Sequence, residues 1–123
     1  MTRLLLADDE EVFRASLAMR LRLRGYEVVE ARDGIEAVGA VLRDDALAVI
    51  ILDYKMPGMR GEQVVSAIQR CRPGARILIL TAYGQEELPG AWRCLGKPCE
   101  LDDLIRAIEA ARAGESPPRE KAD

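Results

Sequence analysis

Apolar positions along the chain follow two patterns in turn: short unbroken runs, and stripes at helical spacing. The run Leu4-Leu5-Leu6-Ala7 marks a strand near residues 3–7. Phe13, Leu17 and Leu21 then stand at i, i+4 and i+8, one face of a helix from about residue 11 to residue 24, which Gly25 ends. Residues 26–31 read as a second strand. Asp33 followed by Glu36 predicts a capping box for a helix through Arg43, with Ala37, Val38, Val41 and Leu42 turned inward. The most apolar stretch, Leu47-Ala48-Val49-Ile50-Ile51-Leu52, does not alternate and is rich in Val and Ile, so it reads as a strand buried on both faces. A third helix opens at Gly61, carries Val64, Val65 and Ile68, and stops at Arg72-Pro73-Gly74. A fourth strand over residues 76–80 meets Thr81, and a short fifth over 93–96 meets Lys97-Pro98. The last helix places Leu101, Leu104, Ile105 and Ile108 on one face and ends at Gly114.

The segment between the fourth and fifth strands is less regular, and Pro89-Gly90 leave room for a single helical turn before them. The alternation of strands and helices predicts an α/β fold, a parallel sheet covered on both faces. The ordered domain is expected over residues 1–114, and the polar, proline-containing residues 115–123 are expected to be a disordered tail or the start of a linker.

In a parallel sheet the carboxyl ends of the strands share one edge, and ligands bind outside it. Asp8 and Asp9 follow the first strand, Asp53 the third, Thr81 the fourth and Lys97 the fifth. Crowded carboxylates raise each other's pKa unless a cation compensates. Magnesium suits that role, because it takes oxygen ligands and bridges to phosphate. Lys97 can then neutralise one phosphate oxygen and the Thr81 hydroxyl can donate to another. Asp53 is left to act as a nucleophile, forming an aspartyl phosphate. Such a transfer asks mainly for positioning and charge stabilisation. Each residue alone has a plainer reading: a turn or helix cap for the acids, a strand-end hydroxyl for Thr81, a solvated cation for Lys97. Their joint placement is what points to a site.

Composition narrows the chemistry further. The 123 residues suffice for one domain, and 49% apolar with 32% charged residues fits a globular protein. A net charge of −3 argues against a nucleic-acid surface, and Arg20, Arg22 and Arg24 read as a solvated helix face. The absence of histidine removes Ser-His-Asp triads, Cys-His dyads and His-ligated zinc. No run is long enough to span a membrane and the N-terminus does not read as a signal peptide, so a cytoplasmic location is expected. Cys71, Cys94 and Cys99 lack zinc spacing and read as reduced thiols.

Several motifs together resemble the response-regulator receiver domain of two-component signalling systems. They are Leu6-Ala7-Asp8-Asp9-Glu10, Arg24-Gly25-Tyr26-Glu27-Val28, Asp33-Gly34, Leu52-Asp53-Tyr54-Lys55-Met56-Pro57-Gly58, Thr81-Ala82-Tyr83-Gly84 and Lys97-Pro98, and the resemblance covers roughly residues 3–113. It implies a flavodoxin-like doubly wound sheet of five parallel strands in order 2-1-3-4-5, in a three-layer α/β/α arrangement. It implies that Asp53 accepts a phosphoryl group from a phosphohistidine on a sensor histidine kinase or a histidine phosphotransfer protein. Asp8, Asp9 and Asp53 would hold Mg2+ (or Mn2+), with the backbone carbonyl of Lys55 completing the site. Lys97 would contact the phosphoryl group, and its peptide bond to Pro98 is expected to be cis. Thr81 would swing toward the phosphate. Lys55 and Tyr83 stand at the positions that tune phosphate lifetime, and their bulk predicts slow self-dephosphorylation. The resemblance makes the chain a phosphoacceptor rather than an enzyme, with no nucleic acid bound by this chain itself.

Two departures from the family pattern concern output. Thr81 and Lys97 lie too close in sequence for a full helix between the fourth and fifth strands, so that helix is expected to be shortened or missing. The aromatic residue usual three positions before the lysine is Cys94, and the one usual after Lys-Pro is Cys99; a thiol lacks the bulk of a ring. Trp92 and Tyr83 are the candidates to stand in for it. With that helix cut down, the phosphorylated protein is expected to stay monomeric or to associate through another face. Two other function classes compete. A phosphatase of similar sheet would carry an Asp-x-Asp pair, but Lys55 stands where its second acid belongs. A phosphorylation-independent interaction module would have lost an acid or the lysine, and none is lost. Cys94 and Cys99 also admit a disulfide, which a reducing compartment disfavours.

Overall fold

A computed structural model of the chain describes residues 1–82 and 87–114. Its strands are β1 (Arg3–Ala7), β2 (Glu27–Ala31), β3 (Leu47–Asp53), β4 (Ile77–Thr81) and β5 (Arg93–Gly96). Its helices are α1 (Glu11–Leu23), α2 (Gly34–Arg43), α3 (Gly61–Cys71) and α4 (Leu101–Arg112). Every strand pairing is parallel and the order is β2-β1-β3-β4-β5, the flavodoxin-like arrangement expected from the sequence. No helix among the described residues is long and apolar enough to cross a membrane. The tail expected to be disordered, residues 115–123, lies outside the described residues.

The unbroken apolar runs have a simple cause. Leu4, Leu6, Val49, Ile51, Leu78 and Leu80 pack with α1 and α4 on one side of the sheet. Leu5, Ala7, Ile50, Leu52, Ile77 and Ile79 pack with α2 and α3 on the other. Successive strand residues point to opposite faces, and both faces meet a helix, so neither parity can be polar. Each such leucine or isoleucine contributes about 1.5–3 kcal/mol on burial.

Several boundaries move by a residue for identifiable reasons. Tyr26 precedes β2 instead of opening it: its ring is buried and its hydroxyl donates to Glu109 Oε2 of α4 at 2.5 Å. Burial and that carboxylate push the Tyr26 pKa up to about 12. At the start of α2, Asp33 caps as expected, accepting from the Glu36 N–H at 2.8 Å. Glu36 does not complete a capping box on Asp33; its carboxylate accepts from the Arg32 N–H at 2.9 Å, one residue earlier. β3 runs on to Asp53, which pairs in register with Leu80, and β4 is displaced by one residue to end on Thr81.

Among the described residues no helix lies between β4 and β5. The turn expected before Pro89 falls partly on residues 83–86, outside the described residues. Residues 88–90 are held against α3. Leu88 is buried in the core layer under that helix. The Gln69 side chain donates to the Gly90 carbonyl at 2.7 Å and to the Ala75 carbonyl at 2.9 Å. Gly90 adopts φ +88°, and a Cβ there would lie 2.9 Å from a Val65 methyl. Gly90→Ala therefore meets both a left-handed backbone and a close methyl. It is expected to lower the free energy of unfolding by about 1–2 kcal/mol, read as an earlier urea midpoint at unchanged slope. An unmoved midpoint would contradict this account of the segment.

Candidate functional site

The carboxyl ends of the strands deliver the chemistry to one edge. β1 stops at Ala7, and Asp8 continues from it, its N–H donating to the Ala31 carbonyl at 3.0 Å. Asp8 Oδ1 accepts from the Glu10 N–H at 2.9 Å, which turns the chain into α1 and leaves Asp9 exposed beside it. Asp53 ends β3, and the next N–H, of Tyr54, bonds to the Leu80 carbonyl at 2.8 Å. Thr81 ends β4 and its carbonyl accepts from the Lys97 N–H at 2.7 Å, so the two residues are tied through the backbone. The Lys97-Pro98 bond is cis.

The side chains converge. Ligand oxygens of Asp8, Asp9 and Asp53 all lie within 4.8 Å of one another. The Lys97 ammonium sits 2.9 Å from Asp53 Oδ1 and 3.8 Å from Asp8 Oδ2. An open cleft of about 160 Å³ beside them is lined by Asp53, Tyr54, Lys55, Thr81, Ala82 and Lys97. Asp8 is 1% exposed, Asp53 8% and Thr81 2%, so Asp53 and Thr81 line the cleft from a largely desolvated edge, with Asp8 buried near Asp53.

Burial pushes the Asp8 pKa up; the Glu10 N–H opposes that shift, while the neighbouring Asp53 charge reinforces it. Asp8 Oδ2 is buried, and among the described residues it has no hydrogen-bond partner. A buried carboxylate oxygen without a donor is costly, and Lys97 at 3.8 Å compensates it only from a distance. A hard divalent cation held by oxygens of all three acids would supply the missing partner, so this donor set fits Mg2+ or Mn2+.

Of the residues expected at the site, Asp8, Asp9, Asp53, Thr81 and Lys97 come together, and Lys55 lines the same cleft. Tyr83 lies outside the described residues. Cys94 sits on β5, paired with Ile79 and packed into the α2/α3 layer. It is not among the residues that line the cleft. Trp92 is buried in the opposite layer, with α1 and α4, so it does not fill the place beside Cys94. Cys99 packs in that opposite layer too, and both thiols are free, their pKa values raised first by burial.

Two residues that the sequence pattern assigns elsewhere or leaves unmarked border the site. Phe13, assigned to the core stripe of α1, has the Lys97 ammonium over its ring, 5.0 Å from the ring centre. Arg14 donates to the Asp8 carbonyl at 2.7 Å and pairs with Glu30 at 3.0 Å, fastening the acidic turn to β2. A signal was available for Arg14: a cation so near a helix N-terminus opposes the macrodipole and needs another reason to be there.

Comparison with known proteins agrees with this arrangement. The family model described as the response regulator receiver domain matches residues 4–109. The chain is 44% identical over 117 residues to the transcriptional regulatory protein PdtaR of Mycobacterium tuberculosis, covering 89% of this chain and 56% of that protein. It thus spans about half the length of that curated relative. Among solved structures, a response regulator receiver domain protein from Clostridium thermocellum superposes with a TM-score of 0.86 at 27% identity, covering 93% of this chain and 96% of that one. The response regulator TrrA from Thermotoga maritima, solved in complex with Mg(2+)-BeF, gives 0.82 at 30% identity, covering 90% and 99%.

The raised Asp8 pKa has a consequence for stability. As pH rises from the ordinary carboxylate value of 3.8, the unfolded chain releases this proton before the native state does. The native state then binds more protons, so stability falls until pH has passed the raised native value. Asp8→Asn removes that loss. With EDTA at neutral pH the variant is expected to melt above wild type, the gap closing as the pH is brought down into the carboxylate range. Added Mg2+ should raise the melting temperature of wild type more than that of the variant. Identical melting of the two in EDTA at neutral pH would refute the assignment of Asp8 as a strained buried anion.

Proposed function

The chain belongs to the response regulator receiver domain family, a signalling module of two-component systems, and on that premise we propose that Asp53 is its phosphoacceptor. The observation that carries the proposal is the pairing of a nearly buried Asp53 with the Lys97 ammonium at 2.9 Å, at the mouth of a cleft it shares with Thr81. An Asp53 carboxylate oxygen attacks phosphorus, the phosphorus–nitrogen bond of a phosphohistidine breaks, and the imidazole leaves with the electron pair. The donor is a sensor histidine kinase or a histidine phosphotransfer protein, in keeping with the phosphorylation of receiver domains by histidine kinases. Asp8, Asp9, Asp53 and the Lys55 backbone carbonyl would hold Mg2+ (or Mn2+), which would supply charge neutralisation of the transferred group. The Mg(2+)-BeF complex of the related TrrA supports that reading.

Lys97 exchanges its contact with Asp53 for one with a phosphoryl oxygen, and the Thr81 hydroxyl donates to another. The chain is thus an acceptor whose only chemistry is its own phosphorylation and dephosphorylation, acting in the cytoplasm. No observation favours the phosphorylation-independent alternative, since each acid and the lysine are present and converge. Output is proposed to run from Thr81 through the segment between β4 and β5 and past Cys94, to a surface other than the family's usual helical one.

Incubation with acetyl phosphate and Mg2+ is expected to add one phosphoryl mass to wild type and none to Asp53→Ala, with EDTA abolishing the gain. A wild type that gains no mass would sink the assignment. Lys55 and Tyr83 are proposed to shield the acyl phosphate, so the phosphorylated form should persist well beyond the timescale of seconds. Lys55→Ala should shorten its lifetime several-fold, followed by mass after donor removal.

A further inference from the structure

Phe13 is the chain's sole phenylalanine, and its ring meets a cation as well as the core. It lies in the first turns of α1, partly buried against the α1/α4 layer. The Lys97 ammonium stands over its ring at 5.0 Å from the centre, while the same nitrogen is 2.9 Å from Asp53 and 3.8 Å from Asp8. The lysine head thus has two kinds of contact, with carboxylates and with an aromatic face.

The two contacts do different work. A lysine ammonium is a point charge on a flexible stem, so one contact does not fix its position. Phosphorylation also weakens the contact with Asp53, because an acyl phosphate no longer carries the carboxylate charge. The ring face attracts the cation by its quadrupole and, unlike a carboxylate, leaves the ammonium protons available to oxygen acceptors. We propose that Phe13 is a positioning residue for phosphoryl transfer, its ring holding the Lys97 ammonium at the mouth of the Asp53 cleft so that it meets the oxygens of the incoming phosphoryl group.

This inference rests on Asp53 being the acceptor. With acetyl phosphate as donor, the Asp53 oxygen bonds to phosphorus, the phosphorus–oxygen bond to the acetyl group breaks, and acetate leaves with the electron pair. Lys97 acts on the charge carried by the transferring group, and Phe13 acts only through Lys97.

The test separates ring electronics from bulk. Phe13→Leu keeps an apolar side chain and removes the quadrupole; Phe13→Tyr keeps both. Phosphorylation is followed by intact mass over a range of acetyl phosphate concentrations at saturating Mg2+. The leucine variant is expected to be about 3–10-fold slower at saturating donor, and the tyrosine variant to stay within about twofold of wild type. In a Lys97→Met background, Phe13→Leu should have no further effect.

An independent readout needs no turnover. The ε-methylene protons of Lys97 should be shifted upfield by the ring in wild type and in Phe13→Tyr, and lose that shift in Phe13→Leu. Circular dichroism checks folding, and Phe13→Met replaces Phe13→Leu if the latter unfolds. Equal rates for wild type and Phe13→Leu would overturn the role of Phe13 alone, as would an equal slowing by Phe13→Leu in the Lys97→Met background. A wild type that gains no phosphoryl mass would overturn the Asp53 reading, and this inference with it.

Discussion

The central strands of a sheet covered by helices on both faces can bury charge only where they end. Among the described residues the buried polar side chains are Asp8, Asp53 and Thr81, and each stands at the carboxyl end of a strand or just beyond it. Gathering acids there takes carboxylates out of water, and breaking the compensation of a buried charge costs about 3–5 kcal/mol. The local architecture answers that cost. Lys97 brings an ammonium to 2.9 Å of Asp53, the Glu10 N–H bonds Asp8 Oδ1, and Arg14 clamps the turn through the Asp8 carbonyl. What stays without a hydrogen bond is Asp8 Oδ2, 3.8 Å from the Lys97 ammonium, and the grouping of the Asp8 carboxylate with those of Asp9 and Asp53 is what makes the cluster suited to a cation.

Much of this was legible in the sequence because two independent signals coincided. Unbroken apolar runs located the strands, and the residue after each run named the chemistry. Ile50, Ile51 and Leu52 leading into Asp53 is the clearest case: the run fixes burial on both faces, and the acid can only be at the edge. The motifs that resemble a receiver domain then fixed strand order, which periodicity alone does not encode. The residues that escaped notice are those whose role depends on a neighbour distant in sequence. Phe13 satisfies a helical stripe so well that nothing marks it as a contact of Lys97. Tyr26 reads as a strand residue until α4 brings Glu109 to its hydroxyl. The Glu36 side chain missed its expected partner by one residue, a difference set by side-chain reach and invisible in spacing.

The departures from the family pattern also acquire a physical form. Cys94 packs in the α2/α3 layer, while Trp92 is committed to the other side of the sheet. Two residues that far apart within one strand would share a face. These two do not, because Trp92 precedes β5, where the chain has not yet settled into strand alternation; its N–H is bonded to the Ile77 carbonyl at 2.7 Å. The ring therefore cannot lend its bulk to the thiol's position.

The link from Thr81 outward follows from where the hydrogen bonds go. A helix satisfies its backbone internally and can shift as one body. The described part of the segment between β4 and β5 has one internal turn, from the Ala91 N–H to the Leu88 carbonyl at 3.0 Å, and is otherwise tied to its neighbours. The Gly90 carbonyl is bonded by Gln69, and Gln69 in turn bonds the Gly74 N–H and the Ala75 carbonyl. Leu88 adds an apolar anchor under α3. Displacement of this segment therefore requires exchange of bonds with α3 and the turn after it, not the sliding of a packed rod. Thr81 is joined to β5 more directly, through the 2.7 Å bond from the Lys97 N–H to its carbonyl. The residue that neutralises charge at Asp53 and the residue that begins the segment thus share one backbone connection.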